Sequence, residues 1–418
     1  MFRNYLRIAF AVFMRRKFFT LISLFGITFT LAILVATIGV MDNTFGELPP
    51  EVNQDRTLNV FSLYSSRETE QGTQVMHTRG ISQVFLERMT KELPGIERVS
   101  LYSNRDPVTS YHGGEQLESQ LKYVDLEFWR ILRFEFLEGR PFTEDEYKNA
   151  AFTAIINETT RRKFFGTSPA AGKTLELGGN SYRVVGVVHD IPLIRNISYS
   201  DIWLPRTLKP DIPEEDRIFG SYMALILAEN SGNFHQIREE FRSRVEEYKQ
   251  SDKSYTILVC YPETLFEQAA RDMLTDGSTY TDASLPAIGA IIILGILFMV
   301  LPTINLVNLN IGRIAERASE IGVRRAFGAP TGSLILQFLV ENVILCLIGG
   351  IIAIPSAYLI LEAISSLGLI PFSEFTINYR VFAYALAVTL FFGIFSGVYP
   401  AWRMSRMHPV DALRGGGA

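Results

Sequence analysis

Four long runs of apolar residues divide the chain, at about 18–41, 285–311, 334–361 and 381–402. A helix rises about 1.5 Å per residue, so each run is long enough to cross the hydrocarbon core of a bilayer, which is about 30 Å thick. The first run is too long for the apolar core of a cleaved signal peptide. The pattern therefore predicts four transmembrane helices, one near the start of the chain and three near its end.

The block 42–284, between the first two runs, alternates β-rich segments with amphipathic helices. The same order of strand, helix and strand occurs near both ends of the block, which predicts one porter-like α+β lobe built from about 50–104 and 218–276. The middle part, about 105–217, is richer in strands and turns, and we expect it to form an inserted lobe. A hairpin turn is expected at 178–180, which reads Gly-Gly-Asn. The predicted strands are 57–64, 97–102, 119–124, 152–156, 173–177, 182–189, 201–204, 222–228 and 254–260, and the predicted helices are 82–93, 157–165 and 234–249.

Basic residues are distributed unevenly around the apolar runs. Residues 1–17 contain five basic residues and no acidic one, the 312–333 loop contains four basic residues, and the tail 403–418 contains three. The block 42–284 carries 27 Lys and Arg against 38 Asp and Glu, a net charge of −11. Since basic residues next to a span stay in the cytoplasm, both termini and the 312–333 loop are predicted inside, with the block and the loop 362–380 outside. The predicted fold class is therefore a multi-pass α-helical membrane protein (four transmembrane helices, one plus three) with a two-lobed α+β extracytoplasmic domain.

Residues 1–17 are predicted to form a helix of their own, because apolar and basic residues alternate there with a helical period. Such a helix suits the cytoplasmic interface of the membrane, with its apolar side towards the lipid. An ordinary basic flank of the first span is the alternative. The apolar side consists of Phe2, Leu6, Phe10 and Phe13, and the other sides carry Arg3, Arg7 and Arg15.

A charged segment, 313–329, lies between the second and third apolar runs. Glu316, Glu320 and Arg324 recur every four residues, so on a helix they share one face, in the order that favours helical ion pairs. Gly328 suits the end of a helix, and the proline that follows prevents the helix from continuing. We predict a short charged helix at the cytoplasmic membrane surface, and a basic loop that only fixes the topology is the alternative. The other charged residues of the segment are Arg313, Arg317 and Arg325.

Few polar residues lie within the predicted spans. Glu341 is a carboxylate in the third run, with Gln337 one turn before it, and a carboxylate in a membrane is costly and commonly functional. Structural pairing, contacts for coupling or dimerisation, and ion translocation are its possible roles. Asn305 and Asn308, three residues apart near the inner end of the second run, are expected to hydrogen-bond between helices. These residues are too few to line a hydrophilic channel, so the spans are predicted to connect rather than to conduct.

The sequence shows no catalytic or metal-binding pattern. The stretch from Gly166 to Thr174 ends in Gly-Lys-Thr, but the phosphate-binding loop requires glycine where Thr167 stands, and the segment that follows is predicted to be a strand rather than a helix. His189 and Asp190 are neighbours on a predicted strand, so their side chains point to opposite faces. We therefore expect a turn at the Gly-Lys-Thr stretch, and neither enzymatic activity nor a cofactor on this chain. The other histidines, which show no ligand spacing, are His77, His112, His235 and His408.

Several of these stretches resemble the FtsX-like permeases, which belong to the MacB/LolC type of ABC transporters. The signature is carried by 317–329, which reads Arg-Ala-Ser-Glu-Ile-Gly-Val-Arg-Arg-Ala-Phe-Gly-Ala, by Gln-Phe-Leu-Val-Glu at 337–341, and by Tyr-Pro-Ala-Trp-Arg at 399–403. The outer block is similar to the periplasmic core domain of that family through Glu-Gly-Arg-Pro at 138–141 and Tyr-Arg-Val-Val-Gly-Val-Val-His-Asp at 182–190. The resemblance covers nearly the whole chain.

The resemblance implies a permease subunit of the bacterial inner membrane, with its large domain in the periplasm. It implies a dimer with a second permease, identical or different, and a separate cytoplasmic ABC ATPase that would bind the ATP and Mg. The helix at 313–329 would dock on this ATPase and relay its closure to the periplasmic domain, a mechanism called mechanotransmission. The coupling contacts would come from Arg313, Glu316, Arg317, Glu320, Arg324, Arg325 and Gly328, and contacts within the membrane or the dimer from Asn305, Asn308, Gln337 and Glu341.

Members of this family export or extract different substrates, so the resemblance leaves the substrate open. A periplasmic adaptor or effector and membrane lipid are further expected partners, and nucleic acid is not. The alternative function is that of an FtsX-like signalling protein, which activates a periplasmic effector without transport.

Overall fold

The computed structural model describes residues 2–15, 17–69, 72–112, 115–209, 218–275, 277–279, 281–316 and 331–367, with a few short pieces between 380 and 395. The described residues belong to two compact units. The helical unit includes Met1–Asn43 and Ile288–Leu369, and the α+β unit includes Thr44–Ala287.

The described residues contain the following regular elements. In chain order, the helices are α1 (Phe2–Arg15), α2 (Lys17–Phe45), α3 (Gln83–Thr90), α4 (Leu126–Ile131), α5 (Glu144–Lys148), α6 (Glu158–Phe165), α7 (Phe234–Ser251), α8 (Leu265–Leu274), α9 (Ser284–Glu316) and α10 (Thr331–Ser366). The strands are β1 (Thr57–Val60), β2 (Leu63–Thr69), β3 (Gly72–Thr78), β4 (Ile96–Ser103), β5 (Asp106–His112), β6 (Glu115–Val124), β7 (Phe136–Gly139), β8 (Thr153–Asn157), β9 (Thr174–Leu177), β10 (Asn180–Val188), β11 (Ile202–Pro205), β12 (Tyr222–Ala228) and β13 (Tyr255–Val259).

Close contacts between helices hold the helical unit together. A Cβ atom at Gly349 of α10 would lie 2.6 Å from Cγ2 of Ile27 on α2, so glycine allows these two helices to approach closely. The Thr28 hydroxyl donates a hydrogen bond to the Gly349 carbonyl oxygen at 3.3 Å. Helix α1 packs on α10, and its Ala9 and Phe13 are buried in the same hydrophobic core.

The N-terminal residues form a helix, as the sequence predicts. Phe10 and Phe13 are neighbours, with ring centroids 6.2 Å apart, but Phe10 is 53% exposed and Phe13 is buried. The apolar residues of α1 therefore face two environments, since one packs on α10 and the other does not. A position of α1 in the membrane interface stays a prediction.

Two stretches of the described residues are long and apolar enough to cross a membrane. They are Thr20–Phe45 in α2 and Leu339–Ser366 in α10, and they correspond to the first and third apolar runs. The second run, 285–311, lies within α9, whose shorter apolar stretch is Ser284–Phe298.

The fourth apolar run, 381–402, lies largely outside the described residues. The count of four transmembrane helices and the position of the two termini therefore stay predictions.

A mixed sheet of ten strands runs through the α+β unit, in the order β1-β12-β4-β6-β11-β8-β10-β7, with β5 paired to β6 and β9 paired to β10. Strands β6 and β11 are parallel, as are β8 and β10. A second sheet contains β13, β2 and β3 in this order, all antiparallel. The core under β4 and β12, to which α3 and α7 contribute, draws its residues from both ends of the block, 58–101 and 218–260. The division into two lobes stays a prediction, since the large sheet continues between them through the pairing of Tyr102 with Val124.

Each strand and helix predicted for the outer block has a counterpart, although the predicted strand 57–64 is broken into β1 and the start of β2. The hairpin turn at 178–180 is confirmed, because Gly178 and Gly179 have φ values of +55° and +85° and connect the paired strands β9 and β10. The sequence pattern does not predict β3, β5, β7, α4, α5 or α8. Strand β3 has exposed side chains on both faces, and α4 and α5 are six and five residues long, so none of the three shows a periodic pattern.

Candidate functional site

The structure describes two of the seven predicted coupling residues. Arg313 and Glu316 lie in the last turn of α9, so the helix continues into the charged segment. Arg317, Glu320, Arg324, Arg325 and Gly328 lie outside the described residues. The coupling helix and its contacts therefore stay predictions.

The predicted polar residues of the spans lie on α9 and α10. Asn305 and Asn308 are on α9, three residues apart and therefore on neighbouring positions of one side, and Gln337 is one turn before Glu341 on α10. Glu341 is 2% exposed and the adjacent Asn342 is 4% exposed. A carboxylate removed from both water and lipid needs polar partners within the protein, which favours a structural or coupling role over ion translocation.

A buried arginine holds the segment that follows α2. Arg195 is 1% exposed, and its guanidinium donates hydrogen bonds to the carbonyl oxygens of Leu48 at 3.0 Å and Gly46 at 3.2 Å. Its Nη1 atom also lies 3.3 Å from Oε2 of Glu51, which is 3% exposed. The planar guanidinium presents its donors in a fixed fork, so one side chain reaches two carbonyl groups and a carboxylate.

The second oxygen of Glu51 binds the loop that carries Arg195. Its Oε1 atom accepts hydrogen bonds from the Ser198 hydroxyl at 2.6 Å and from the Ser198 amide at 3.2 Å. The side-chain Nε2 of Gln54 donates to Oε2 of Glu51 at 2.6 Å. The buried carboxylate is thus paired and hydrogen-bonded, which offsets the cost of removing it from water. We call Glu51, Arg195 and Ser198 the Arg195 clamp.

A buried lysine joins the same loop to the large sheet. Lys122 of β6 is 1% exposed, and its Nζ donates hydrogen bonds to the carbonyl oxygens of Asn196 at 2.9 Å and Ile197 at 2.6 Å. Nζ lies 5.4 Å from the centroid of the Tyr102 ring. Burial lowers the pKa of Lys122 to about 7, and the positive charge of Arg105 lowers it further. The two carbonyl acceptors match the two N–H donors of a neutral amine.

A second buried ion pair lies near the other end of the α+β unit, in the segment before α9. Arg271 of α8 donates to Glu263 through Nε at 3.0 Å and Nη2 at 2.7 Å, and both side chains are 4% exposed. Nη2 also donates to the Ser62 hydroxyl at 3.0 Å. The main chain of Glu263 exchanges hydrogen bonds of 2.9 and 2.7 Å with that of Asn59 in β1. Arg271 and Glu263 therefore tie the last helix of the unit to its first strand.

A cavity of about 150 Å³ lies beside this pair, lined by α7 and by the segments 261–263 and 281–283. Arg238 donates to Glu267 at 2.6 Å in its wall, and Asp282 accepts the Ser284 amide at 2.8 Å at the start of α9. Burial raises the pKa of Tyr261 to about 12. These charged groups of the wall are thus paired within the chain.

The Gly-Lys-Thr stretch binds a carboxylate of its own chain. The amides of Ala170 and Ala171 donate to Oε2 of Glu138 at 2.7 and 3.0 Å. Thr174 begins strand β9, so the expected turn followed by a strand is confirmed. The structure assigns these amides to Glu138.

His189 and Asp190 have different partners. Asp190 accepts hydrogen bonds from the amide of Thr159 at 2.9 Å and from its hydroxyl at 2.8 Å, at the start of α6. His189 is 3.9 Å from Glu135. The two neighbouring residues therefore do not form a hydrogen-bonded pair.

Comparison with known proteins identifies the class. A family model described as the MacB-like periplasmic core domain matches residues 20–244, and one described as the FtsX-like permease C-terminal matches residues 292–409. The first match alone covers more than half of the chain. The chain therefore belongs to the MacB/FtsX type of ABC transporter permeases.

Particular relatives show how much of each protein is shared. The chain is 22% identical over 98% of its length to the ABC transporter permease YvrN of Bacillus subtilis, of which it covers 99%. It is 26% identical over 77% of its length to the macrolide export ATP-binding/permease protein MacB of a Shewanella species, of which it spans only 47%. Among solved structures, it is similar to the periplasmic region of MacB from Actinobacillus actinomycetemcomitans, with 14% identity and a TM-score of 0.34 over 49% of this chain and 88% of that one.

Proposed function

We propose that this chain is the permease subunit of a MacB/LolC-type ABC transporter that relays ATP hydrolysis by a separate cytoplasmic ATPase to its α+β unit. The α+β unit would lie in the periplasm, where its movement would drive export or extraction of a substrate. The observation that carries the proposal is the continuity of α9. This single helix begins at Ser284, within the α+β unit, and is described as far as Glu316, within the charged segment 313–329.

The length of α9 suits a mechanical relay. Its 33 residues at about 1.5 Å each give a rod of about 50 Å, which exceeds the hydrocarbon core by about 20 Å. The excess allows Arg313 and Glu316 to lie in water rather than in lipid. A hydrogen-bonded helix changes length little, so a displacement at the charged end is passed along the rod to the end at Ser284.

The proposed function requires partner proteins, namely an ATPase that supplies the energy and a second permease chain that completes the dimer. A cytoplasmic ABC ATPase would bind ATP and Mg and would contact Arg317, Glu320, Arg324 and the residues around them. A second permease chain would complete the dimer in the inner membrane, and the buried Glu341 would contribute to the helix contacts there. A periplasmic adaptor would be a further partner. This chain itself would have no catalytic residue.

Charge reversal in the coupling segment tests the proposal. We expect the double variant Arg324→Glu and Arg325→Glu to recover at least about tenfold less ATPase on affinity purification of the full chain from native membranes, because two favourable contacts become repulsive. The matched control reverses two exposed lysines of the α+β unit, Lys163→Glu and Lys253→Glu, and should recover the wild-type amount. If the charge-reversal variant recovered the wild-type amount of ATPase with wild-type activity, the assignment of 313–329 as the coupling segment would be contradicted.

A further inference from the structure

We propose that Arg195 is a positioning residue for the transport cycle, through which movement of the segment after α2 reaches the central sheet of the α+β unit. This inference rests on the proposed function, since it names a route by which a relayed movement would enter that unit. It concerns residues 46–51, the loop 192–200 and strand β6, all of which belong to the α+β unit.

The first step of the route is the pair of hydrogen bonds from Arg195 to the main chain after α2. Helix α2 ends at Phe45, and the carbonyl groups of Gly46 and Leu48, one and three residues later, are the acceptors of Arg195. Main-chain acceptors move with the backbone itself, whereas a side-chain acceptor can swing away through rotation about its own bonds. A displacement of this segment therefore pulls directly on the guanidinium.

The second step joins Arg195 to the sheet. The carbonyl oxygens that follow Arg195 in the chain, on Asn196 and Ile197, accept hydrogen bonds from Lys122, near the C-terminal end of β6. Strand β6 pairs with β4, β5 and β11, so it lies inside the large sheet. Arg195, Ser198 and Lys122 are at most 1% exposed. Water therefore does not compete for these hydrogen bonds, which makes the link stiff.

A second set of contacts holds the same segment against the end of α4. Because of these contacts, loss of coupling can be distinguished from loss of folding. The main-chain amide of Arg133 donates to the carbonyl oxygen of Pro50 at 2.9 Å, and the side-chain Nδ2 of Asn53 donates to the Ile131 carbonyl oxygen at 3.5 Å. These contacts attach the segment to the end of α4 rather than to β6. These contacts, and the hydrogen bonds from Ser198 to Glu51, do not involve the Arg195 side chain. We therefore expect the segment to stay docked in the Arg195 variants, while its link to β6 through the guanidinium is lost.

The experiment compares hydrogen exchange in the complete complex of full-length chain and co-purified ATPase, reconstituted in lipid nanodiscs, without nucleotide and with ADP and vanadate. The variants are Arg195→Met, which removes the donors, and Arg195→Lys, which keeps the charge but loses the fork. The control is Ile156→Ala, which opens a cavity in the core cluster that also contains Leu121 of β6. It therefore lowers stability next to the read-out peptide without removing a contact of the route. Thermal unfolding of each complex measures stability independently.

In the wild type and in Ile156→Ala, we expect the nucleotide to change exchange in peptides from both 44–56 and 118–125. In Arg195→Met, the change should persist in 44–56 and fall about fivefold or more in 118–125, with Arg195→Lys in between. An unaltered change in 118–125 of Arg195→Met would overturn the inference while leaving the proposed function intact. Loss of the ATPase from the Arg195→Met complex would also overturn it, because the residue would then act in assembly. Absence of any nucleotide-dependent change in the wild-type α+β unit would instead contradict the proposed function.

Discussion

Arg271 and Glu263 form two hydrogen bonds to each other, of 3.0 and 2.7 Å, at a place where both side chains are 4% exposed. They are eight positions apart in the chain, and Arg271 reaches back from α8 to the segment before it. The pair is geometrically complete, since the guanidinium fork meets both carboxylate oxygens. Its consequence for stability is asymmetric: removal of one partner leaves a buried charge, whereas removal of both does not.

We therefore expect Arg271→Met to lower the free energy of unfolding of the α+β unit by about 3–5 kcal/mol, because Glu263 loses its counter-charge in a buried site. The double variant Glu263→Leu and Arg271→Met should recover much of this loss. Chemical unfolding of the full chain in detergent measures both, with Trp129 and Trp203 as fluorescent reporters inside the unit. A double variant less stable than Arg271→Met would contradict the account.

Lys122 predicts an unusual dependence of stability on pH. Burial lowers its pKa to about 7 in the folded chain, whereas an unfolded lysine has a pKa of about 10.4. Between these two values the unfolded state binds more protons than the folded state, so the contribution of this group to stability rises as the pH increases from about 7 to about 10. Below pH 7 both states are protonated, and the full cost of burying the charge remains.

The measurement is the free energy of unfolding from pH 6 to pH 10 for the wild type and for Lys122→Met. The wild type should gain up to about 4 kcal/mol relative to the variant across this window, most of it above pH 7. The comparison with the variant removes the contributions of other groups that titrate in the same range. Equal slopes in the two proteins would show that Lys122 is not buried with a lowered pKa.

The close approach of α2 and α10 at Gly349 leaves no room for a larger side chain there. Because a Cβ atom there would lie 2.6 Å from Ile27, we expect Gly349→Ala to destabilise the packing of α2 on α10 by about 1–3 kcal/mol. Gly349→Ala combined with Ile27→Ala should restore part of the loss. Gly289→Ala is the control, since, apart from the nearby backbone of its own helix, no described atom lies within 4 Å of a Cβ at that position. Thermal unfolding in detergent ranks the variants, and equal melting temperatures for Gly349→Ala and Gly289→Ala would be inconsistent with close packing.

We expect replacement of Glu138 to lower the free energy of unfolding, because Glu138 accepts hydrogen bonds from the Gly-Lys-Thr stretch. Glu138→Ala leaves the amides of Ala170 and Ala171 without their acceptor and should cost about 1–3 kcal/mol. Lys173→Ala should cost less than about 1 kcal/mol, because its exposed ammonium lies over the Phe165 ring, 5.4 Å from the ring centroid. Both values come from denaturant unfolding. A larger effect of Lys173→Ala than of Glu138→Ala would indicate that the lysine has a role that the geometry does not show.

The sequence was sufficient for elements whose apolar residues follow a simple period. Tyr222–Ala228 is a strand with the predicted ends, and it is buried at every position. The sequence pattern does not predict helix α8, because its buried side includes Gln268 and Arg271. Polar residues therefore occupy positions where apolar core residues are expected. Periodicity cannot distinguish a buried ion pair from an exposed charge, since both are written with the same residues.

The residues of the Arg195 clamp could not be found from the sequence for a related reason. Glu51 and Arg195 are 144 residues apart, and their meeting depends on the order of strands in the sheet. Lys122 gave a weak signal, because it shares a face of its strand with Val124, which is buried. The charged segment 313–329 was recognisable because its pattern is local, with residues four positions apart.

The central claim is that this permease works with a separate ATPase, and affinity purification of the wild-type chain from its native membrane tests it most directly. The solubilised complex is identified by mass spectrometry, with a mild detergent and a cross-linked sample as checks that assemblies survive. The account predicts that an ABC ATPase co-purifies in an amount comparable to the chain, together with a second permease copy or relative. Recovery of an intact permease assembly without any ATPase, in both samples, would contradict it.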